Sequence, residues 1–244
     1  MKSLLAAIAF LTRIPVGRLM AFDAADVTHS AAWFPAVGAL LGGVYYLLAI
    51  VLRSHLPAAT IAVLVVLADA LATGALHFDG LADTADGFGG GANREDILRI
   101  MRDHAIGSYG GVALVLVVAF KIVAYTALLD RGPWIPALIL APVLGRWSIL
   151  LLTAALPYAR PSPSVAAGMG ARSLVLGTLL SAVAVAAAQS GRGWIAAAMV
   201  VAITAFFGLY CRRRIAGITG DTLGANVQLC ESAVLLTFLW AGYP

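Results

Sequence analysis

Three carboxylates open the chemical reading of this chain. In His77-Phe-Asp79-Gly-Leu-Ala-Asp83-Thr-Ala-Asp86-Gly-Phe-Gly-Gly-Gly91, the acids Asp79, Asp83 and Asp86 stand at i, i+4 and i+7. On a helix that spacing puts all three on one face, about a turn apart. Three neighbouring anions repel one another, and no Lys or Arg lies between positions 54 and 93 to offset them. A hard divalent metal answers that repulsion, and oxygen ligands with room for waters and a substrate phosphate suit Mg²⁺. A solvated acidic face is the plainer alternative, and it is costly for a helix that emerges directly from an apolar run. Gly87, Gly89, Gly90 and Gly91 follow at once. Glycines let a backbone approach a phosphate and turn amides toward it, or they provide a flexible exit from the helix. Metal plus amide donors describes a diphosphate site.

Two further polar groups belong to the same reading. Arg102-Asp103-His104-Ala-Ile-Gly107 follows a short helix expected near 93–101, with Asn93 as its cap and Asp96 three residues on. Arg99 and Arg102, three apart, are placed to contact phosphate or anionic lipid headgroups. His104 reads as a loop residue rather than a base. The second group is Gly217-Ile-Thr-Gly220-Asp221-Thr222-Leu-Gly224-Ala-Asn226-Val-Gln228-Leu-Cys-Glu231. Its Asp221, Asn226, Gln228 and Glu231 imply an inward-facing polar pocket, and Asp221-Thr222 also makes a helix cap. Together these groups suggest phosphoryl or nucleotidyl transfer: a metal neutralises diphosphate oxygens and a carboxylate takes the proton of an attacking hydroxyl. The spacing names neither the alcohol nor the base.

The elements that position these groups belong to a membrane protein. Of 244 residues, 61% are hydrophobic and 11% charged, and the mean hydropathy is +0.94. Soluble domains carry about a quarter charged residues. Seven continuous apolar stretches read as spanning helices: 33–52, 58–78, 111–129, 135–156, 173–189, 193–211 and 227–243. An amphipathic, retained N-terminal helix precedes them. The expected fold is therefore an all-α polytopic helix bundle, a single membrane domain over 1–244 with catalytic loops at about 79–110 and 212–226. With the N-terminus inside, eleven cations (Lys2, Arg13, Arg18, Arg94, Arg99, Arg102, Arg160, Arg172, Arg212, Arg213, Arg214) face the cytoplasm and three (Arg53, Arg131, Arg192) lie outside. That bias sets the N-terminus and both loops on the cytoplasmic side. It also accounts for the net charge of +4 without nucleic acid. Cys211 and Cys230 fit neither a disulfide framework nor a zinc site and read as packing residues. Asp69, Lys121 and Arg146 lie inside spans, as interhelical ion pairs or as the lining of a polar cavity.

The same residues carry a resemblance. Phe10-Leu-Thr-Arg13-Ile-Pro15-Val, Phe34-Pro35-x2-Gly38-x3-Gly42, His77-x-Asp79-Gly-Leu-Ala-Asp83-Thr-x-Asp86-Gly, Met101-Arg-Asp103-x2-Ile-Gly107 and Thr219-Gly-Asp221-Thr-Leu-Gly224-Ala resemble the cobalamin synthase family, the adenosylcobinamide-GDP ribazoletransferases. The resemblance is collinear from about residue 8 to 240. It implies a Mg²⁺-dependent enzyme of the bacterial inner membrane in vitamin B12 biosynthesis, with its active site on the cytoplasmic side. α-Ribazole, or its 5′-phosphate, attacks the cobinamide-proximal phosphorus of adenosylcobinamide-GDP, and GMP leaves. It further implies Asp79, Asp83 and Asp86 as metal ligands, with Asp83, Asp86, Asp103 and Asp221 catalytic. His77, Gly87, Gly90, Arg99, Arg102, Gly107, Thr222, Asn226 and Glu231 are the implied substrate contacts. A homo-oligomer or a biosynthetic membrane assembly is compatible with it. Two departures stand out: Gln228 where the family commonly has Glu, and His104-Ala105 in place of a pair ending in Arg. The rivals are a CDP-alcohol-phosphotransferase-like enzyme, whose pattern has Arg where this chain has Asp83, and a transporter using the intramembrane charges.

Overall fold

The computed structural model describes residues 2–16, 20–160 and 170–240. Arg18 of the charge count and the last residues of the seventh expected span lie outside them. Every regular element among the described residues is helical. The elements are α1 (Lys2–Leu11), α2 (Ala24–Ser30), a 3₁₀ turn (Ala31–Trp33), α3 (Phe34–Leu52), α4 (Ala58–Thr73), α5 (Leu76–Gly90), α6 (Arg94–Ile100), α7 (Ser108–Arg131), α8 (Trp134–Ala155), α9 (Ala171–Ala187), α10 (Gly191–Ile215) and α11 (Gly220–Trp240).

Five helical segments are long and apolar enough to cross a membrane: Thr28–Leu52, Ser108–Arg131, Trp134–Ala155, Gly191–Ile215 and Gly220–Trp240. The bent pair Ala58–Thr73 and Leu76–Gly90 makes a sixth if taken as one span, and the remaining expected run forms a shorter apolar helix. The run 173–189 forms α9, a shorter apolar helix of 17 residues, about 26 Å long at 1.5 Å per residue. The run 58–78 is not one helix. It breaks after Thr73, and α5 leaves α4 at 89°.

The break has a local cause. Gly74 and Ala75 both take left-handed backbone, at φ 62° and 58°. The Ala75 amide reaches back to the carbonyl of Ala70 at 2.7 Å and Gly74 to that of Leu71 at 3.3 Å. These are the two bonds of a Schellman termination. The segment after α1 covers the corner: the Arg13 amide donates to the carbonyl of Ala72 at 2.7 Å, and the Arg13 side chain fills the space beside Gly74. Turned through a right angle and carrying three acids, α5 is too polar and short to be a span, and we read it as lying along the membrane face.

α8 is the central helix, buried along most of its length. Gly38 and Gly42 let α3 meet it backbone to backbone, since a Cβ at either would run into main-chain atoms between Leu138 and Val143. Small residues four apart serve this purpose in membrane bundles. The main core joins α3, α4, α7, α8 and α11, and a smaller one, Ile97, Met101, Ala159, Cys211 and Ile215, seats α6. Cys211 and Cys230 are both buried and free, as packing residues should be.

Candidate active site

The first constraint on the site is a contact between two backbones. α5 crosses the start of α11 at Gly80 and Gly224, where a Cβ on Gly80 would lie 2.7 Å from the carbonyl oxygen of Asp221 and 3.1 Å from the Cα of Gly224. Only glycine permits the approach. Asp79 and Asp83 flank this crossing from α5, and Asp221 opens α11 beside it. Asp79 is exposed, while Asp83 and Asp221 are half-buried. Burial pushes the Asp83 carboxyl up to about 6, and the charges of Asp79, Asp221 and Asp86 add to that, with Arg160 opposing. The sequence-predicted repulsion is thus a property of the folded site.

Asp86 has a different occupation. Its carboxylate accepts the amide of Gly107 at 2.7 Å and that of Gly110 at 2.8 Å. Those are free donors in the first turn of α7, so Asp86 caps that helix from α5, with its charge on the positive end of the dipole. A Cβ at Gly107 or Gly110 would strike the carboxylate. Gly107, predicted as a substrate contact, is here the N-cap residue. The glycines after Asp86 also differ from the expected phosphate cradle. They continue the helix to Gly90, with the Gly91 amide bonded to the carbonyl of Gly87 at 2.9 Å, so their amides are used within the helix. Gly87 lies under Met101 and Ile97, Gly89 under the ring of Tyr109, and Gly90 is exposed. Close packing against the turn into α7 explains them.

Asp103 sits on the exposed turn after α6, its Oδ1 accepting the Ala105 amide at 3.1 Å. Arg99 is turned to Asp96 on its own helix at 3.3 Å, and Arg102 is exposed nearby. Asn93 caps α6 through the Asp96 amide as expected.

Four predicted substrate contacts are interior. Thr222 and Thr219 bond reciprocally, amide to hydroxyl, and start α11. Asn226 donates to Thr204 at 3.1 Å. Glu231 and His77 belong to a buried charge cluster. Lys121 and Arg146 each bond both Asp69 and Glu231, and Tyr45 donates to Asp69 at 2.8 Å. His77 Nδ1 lies 3.5 Å from Arg146. The four charged residues are 0–5% exposed. Two cations against two anions leave the cluster neutral. It joins α4, α7, α8 and α11 as interhelical ion pairs, and Glu231 is the member that sequence reasoning placed elsewhere.

One residue that sequence reasoning treated only as a cytoplasmic cation stands at the site. Arg160 bonds Asp221 at 2.8 Å. Its segment is joined to the α10–α11 turn by a parallel backbone bridge: the Ala159 amide donates to Ile218 at 2.8 Å and the Ile218 amide to Pro157 at 3.0 Å. Arg94 donates to the carbonyl of Ala159 at 2.8 Å, and Arg214 to those of Phe88 and Gly91. The turns after α5, α8 and α10 are thereby tied together at one end of the bundle.

Among the described residues no three His, Cys, Asp or Glu side chains converge as a preformed metal cage. Mg²⁺ does not require one, since it is commonly held by one or two carboxylates with waters and substrate phosphates completing its shell. Asp79 and Asp83, unlike Asp86, accept no hydrogen bond on their carboxylates among the described residues.

Fold and site together define a polytopic membrane protein with a group of neighbouring carboxylates at one end of a helix bundle. The chain belongs to the cobalamin-5-phosphate synthase family, whose profile matches residues 3–239. It is similar to proteins named adenosylcobinamide-GDP ribazoletransferase: 37% identical to that of Syntrophobacter fumaroxidans over 94% of each chain, and 39% to that of Rhizobium etli over 94% of this chain and 93% of the other. The relative from Azorhizobium caulinodans is 41% identical over 98% of this chain and 96% of its own. No solved structure matches.

Proposed function

We propose that this chain is an adenosylcobinamide-GDP ribazoletransferase, Mg²⁺-dependent, with its active site on the cytoplasmic face of the bacterial inner membrane. The observation that carries the site assignment is the Gly80–Gly224 crossing, which brings the open carboxylates of Asp79 and Asp83 beside Asp221. In the reaction a hydroxyl of α-ribazole, or of its 5′-phosphate, bonds to the cobinamide-proximal phosphorus. The bond from that phosphorus to the bridging oxygen breaks, and GMP leaves with the oxygen. Mg²⁺ held by Asp79 and Asp83 would neutralise charge on the diphosphate. Asp221 would accept the proton of the attacking hydroxyl. Asp86 fixes α5 against α7 so that the other two acids keep their aim. The cytoplasmic orientation rests on the cation bias of the loops at this end of the bundle.

Intramembrane charges that pair among themselves give no support to a transporter. The test is turnover: purified protein in detergent is expected to convert adenosylcobinamide-GDP and α-ribazole to cobalamin with release of GMP, and EDTA is expected to stop it. Unchanged substrates with ample Mg²⁺ would defeat the assignment.

A further inference from the structure

We propose that Arg160 binds the diphosphate of the nucleotide-linked substrate, oriented for it by Asp221; this rests on the function proposed above. A diphosphate bound beside Asp79, Asp83 and Asp221 needs protein cations as well as metal. Three of the neighbouring arginines are otherwise engaged, and Arg102 is exposed on the turn after α6. Arg94 holds the carbonyl of Ala159, Arg99 pairs with Asp96, and Arg214 bonds the carbonyls of Phe88 and Gly91. Arg160 is the cation whose ion pair reaches the acids themselves.

The geometry of that pair is incomplete. A single nitrogen, Nη2, meets Asp221 Oδ2, which also accepts the hydroxyl of Thr219 at 3.2 Å. Arg160 Nε is buried and has no partner. A purely structural Arg–Asp pair would be expected to use both prongs of the fork. Here the guanidinium keeps donors in reserve, in the arrangement that planar recognition of a phosphate requires. Its backbone is held more firmly than its head. The bridge between Tyr158 and Ile218, with Gly217 pressed against the carbonyl of Pro157, is a stretch of irregular chain sewn in place beside Asp221. The side chain remains 13% exposed.

Two measurements test this. Arg160→Gln is expected to raise the KM for adenosylcobinamide-GDP and the inhibition constant of GDP by at least about tenfold, leaving the KM for α-ribazole and the affinity for guanosine unchanged. Arg160→Lys is expected to recover part of the loss. A structural pair would instead move all these constants together with the melting temperature. On the native protein, GDP should slow phenylglyoxal modification of Arg160, read by mass spectrometry, and leave that of Arg53 unaffected. Wild-type protein that turns over while GDP leaves Arg160 unprotected overturns the inference alone. Wild-type protein that neither turns over nor binds GDP overturns the functional reading and this inference with it.

Discussion

Three acids at i, i+4 and i+7 look equivalent in the sequence, and the fold makes them unequal. Asp79 faces solvent, Asp83 is half-buried, and Asp86 is 8% exposed on the first turn of α7. Helical spacing gave the shared face, but the neighbours that end up against Asp86 lie 21 and 24 residues later, at Gly107 and Gly110. Different substitutions should therefore separate them. Asp83→Asn is expected to abolish turnover. Its carboxyl is raised from the usual range to about 6 in the metal-free protein, so it contributes stability below about pH 4 and loses that contribution as pH rises through 6. Without Mg²⁺ the variant should then melt above wild type at pH 7.5 and show no such advantage at pH 4, by thermal unfolding in detergent. Asp86→Asn should retain measurable turnover. Asp86→Ala, with two amides left unmet and a charge-assisted bond to each removed, should cost about 3 kcal/mol. Asp86→Asn as inactive as Asp83→Asn, with no loss of stability, would return Asp86 to the metal.

At the scale of elements, the apolar run from 58 to 78 hides its own corner. Hydropathy continues through Phe78, and only Gly74 marks the turn; that Ala75 would also adopt left-handed backbone is not written in its side chain. The corner matters because it converts a continuing span into a surface helix that delivers Asp79 and Asp83 to α11. The glycine at the crossing was visible in the motif, while its purpose needed the partner backbone. Gly80→Ala places a methyl 2.7 Å from the Asp221 carbonyl oxygen, so α5 and α11 must part. Overpacking of this kind costs about 1–3 kcal/mol, and turnover should fall by more than tenfold while the protein still inserts into the membrane. Ala75→Gly tests the corner in the opposite sense. Relief of left-handed backbone should leave stability unchanged or raise it by up to about 1 kcal/mol, as read by melting temperature.

For the whole molecule, the all-α membrane architecture was legible from composition and run length alone, and Asp69, Lys121 and Arg146 announced themselves as charges out of place. Their fourth partner did not. Glu231 lies 110 residues from Lys121, and nothing local distinguishes it from a pocket residue. Lys121→Met leaves the two carboxylates sharing one arginine, and removal of one partner from a buried ion network costs about 3–5 kcal/mol. Lys121→Met combined with Glu231→Gln should recover much of that loss. Equal melting temperatures for the single and double variants would show that the four charges do not act as a unit.

The balance of that interior set has a consequence for energetics in the living cell. A membrane voltage does work only on unbalanced charge, about 2.3 kcal/mol per elementary charge per 100 mV. With two positive and two negative groups locked together, the field finds nothing there to pull. Vesicles given valinomycin with a potassium gradient and vesicles given valinomycin with equal potassium on both sides should accordingly make product at the same speed.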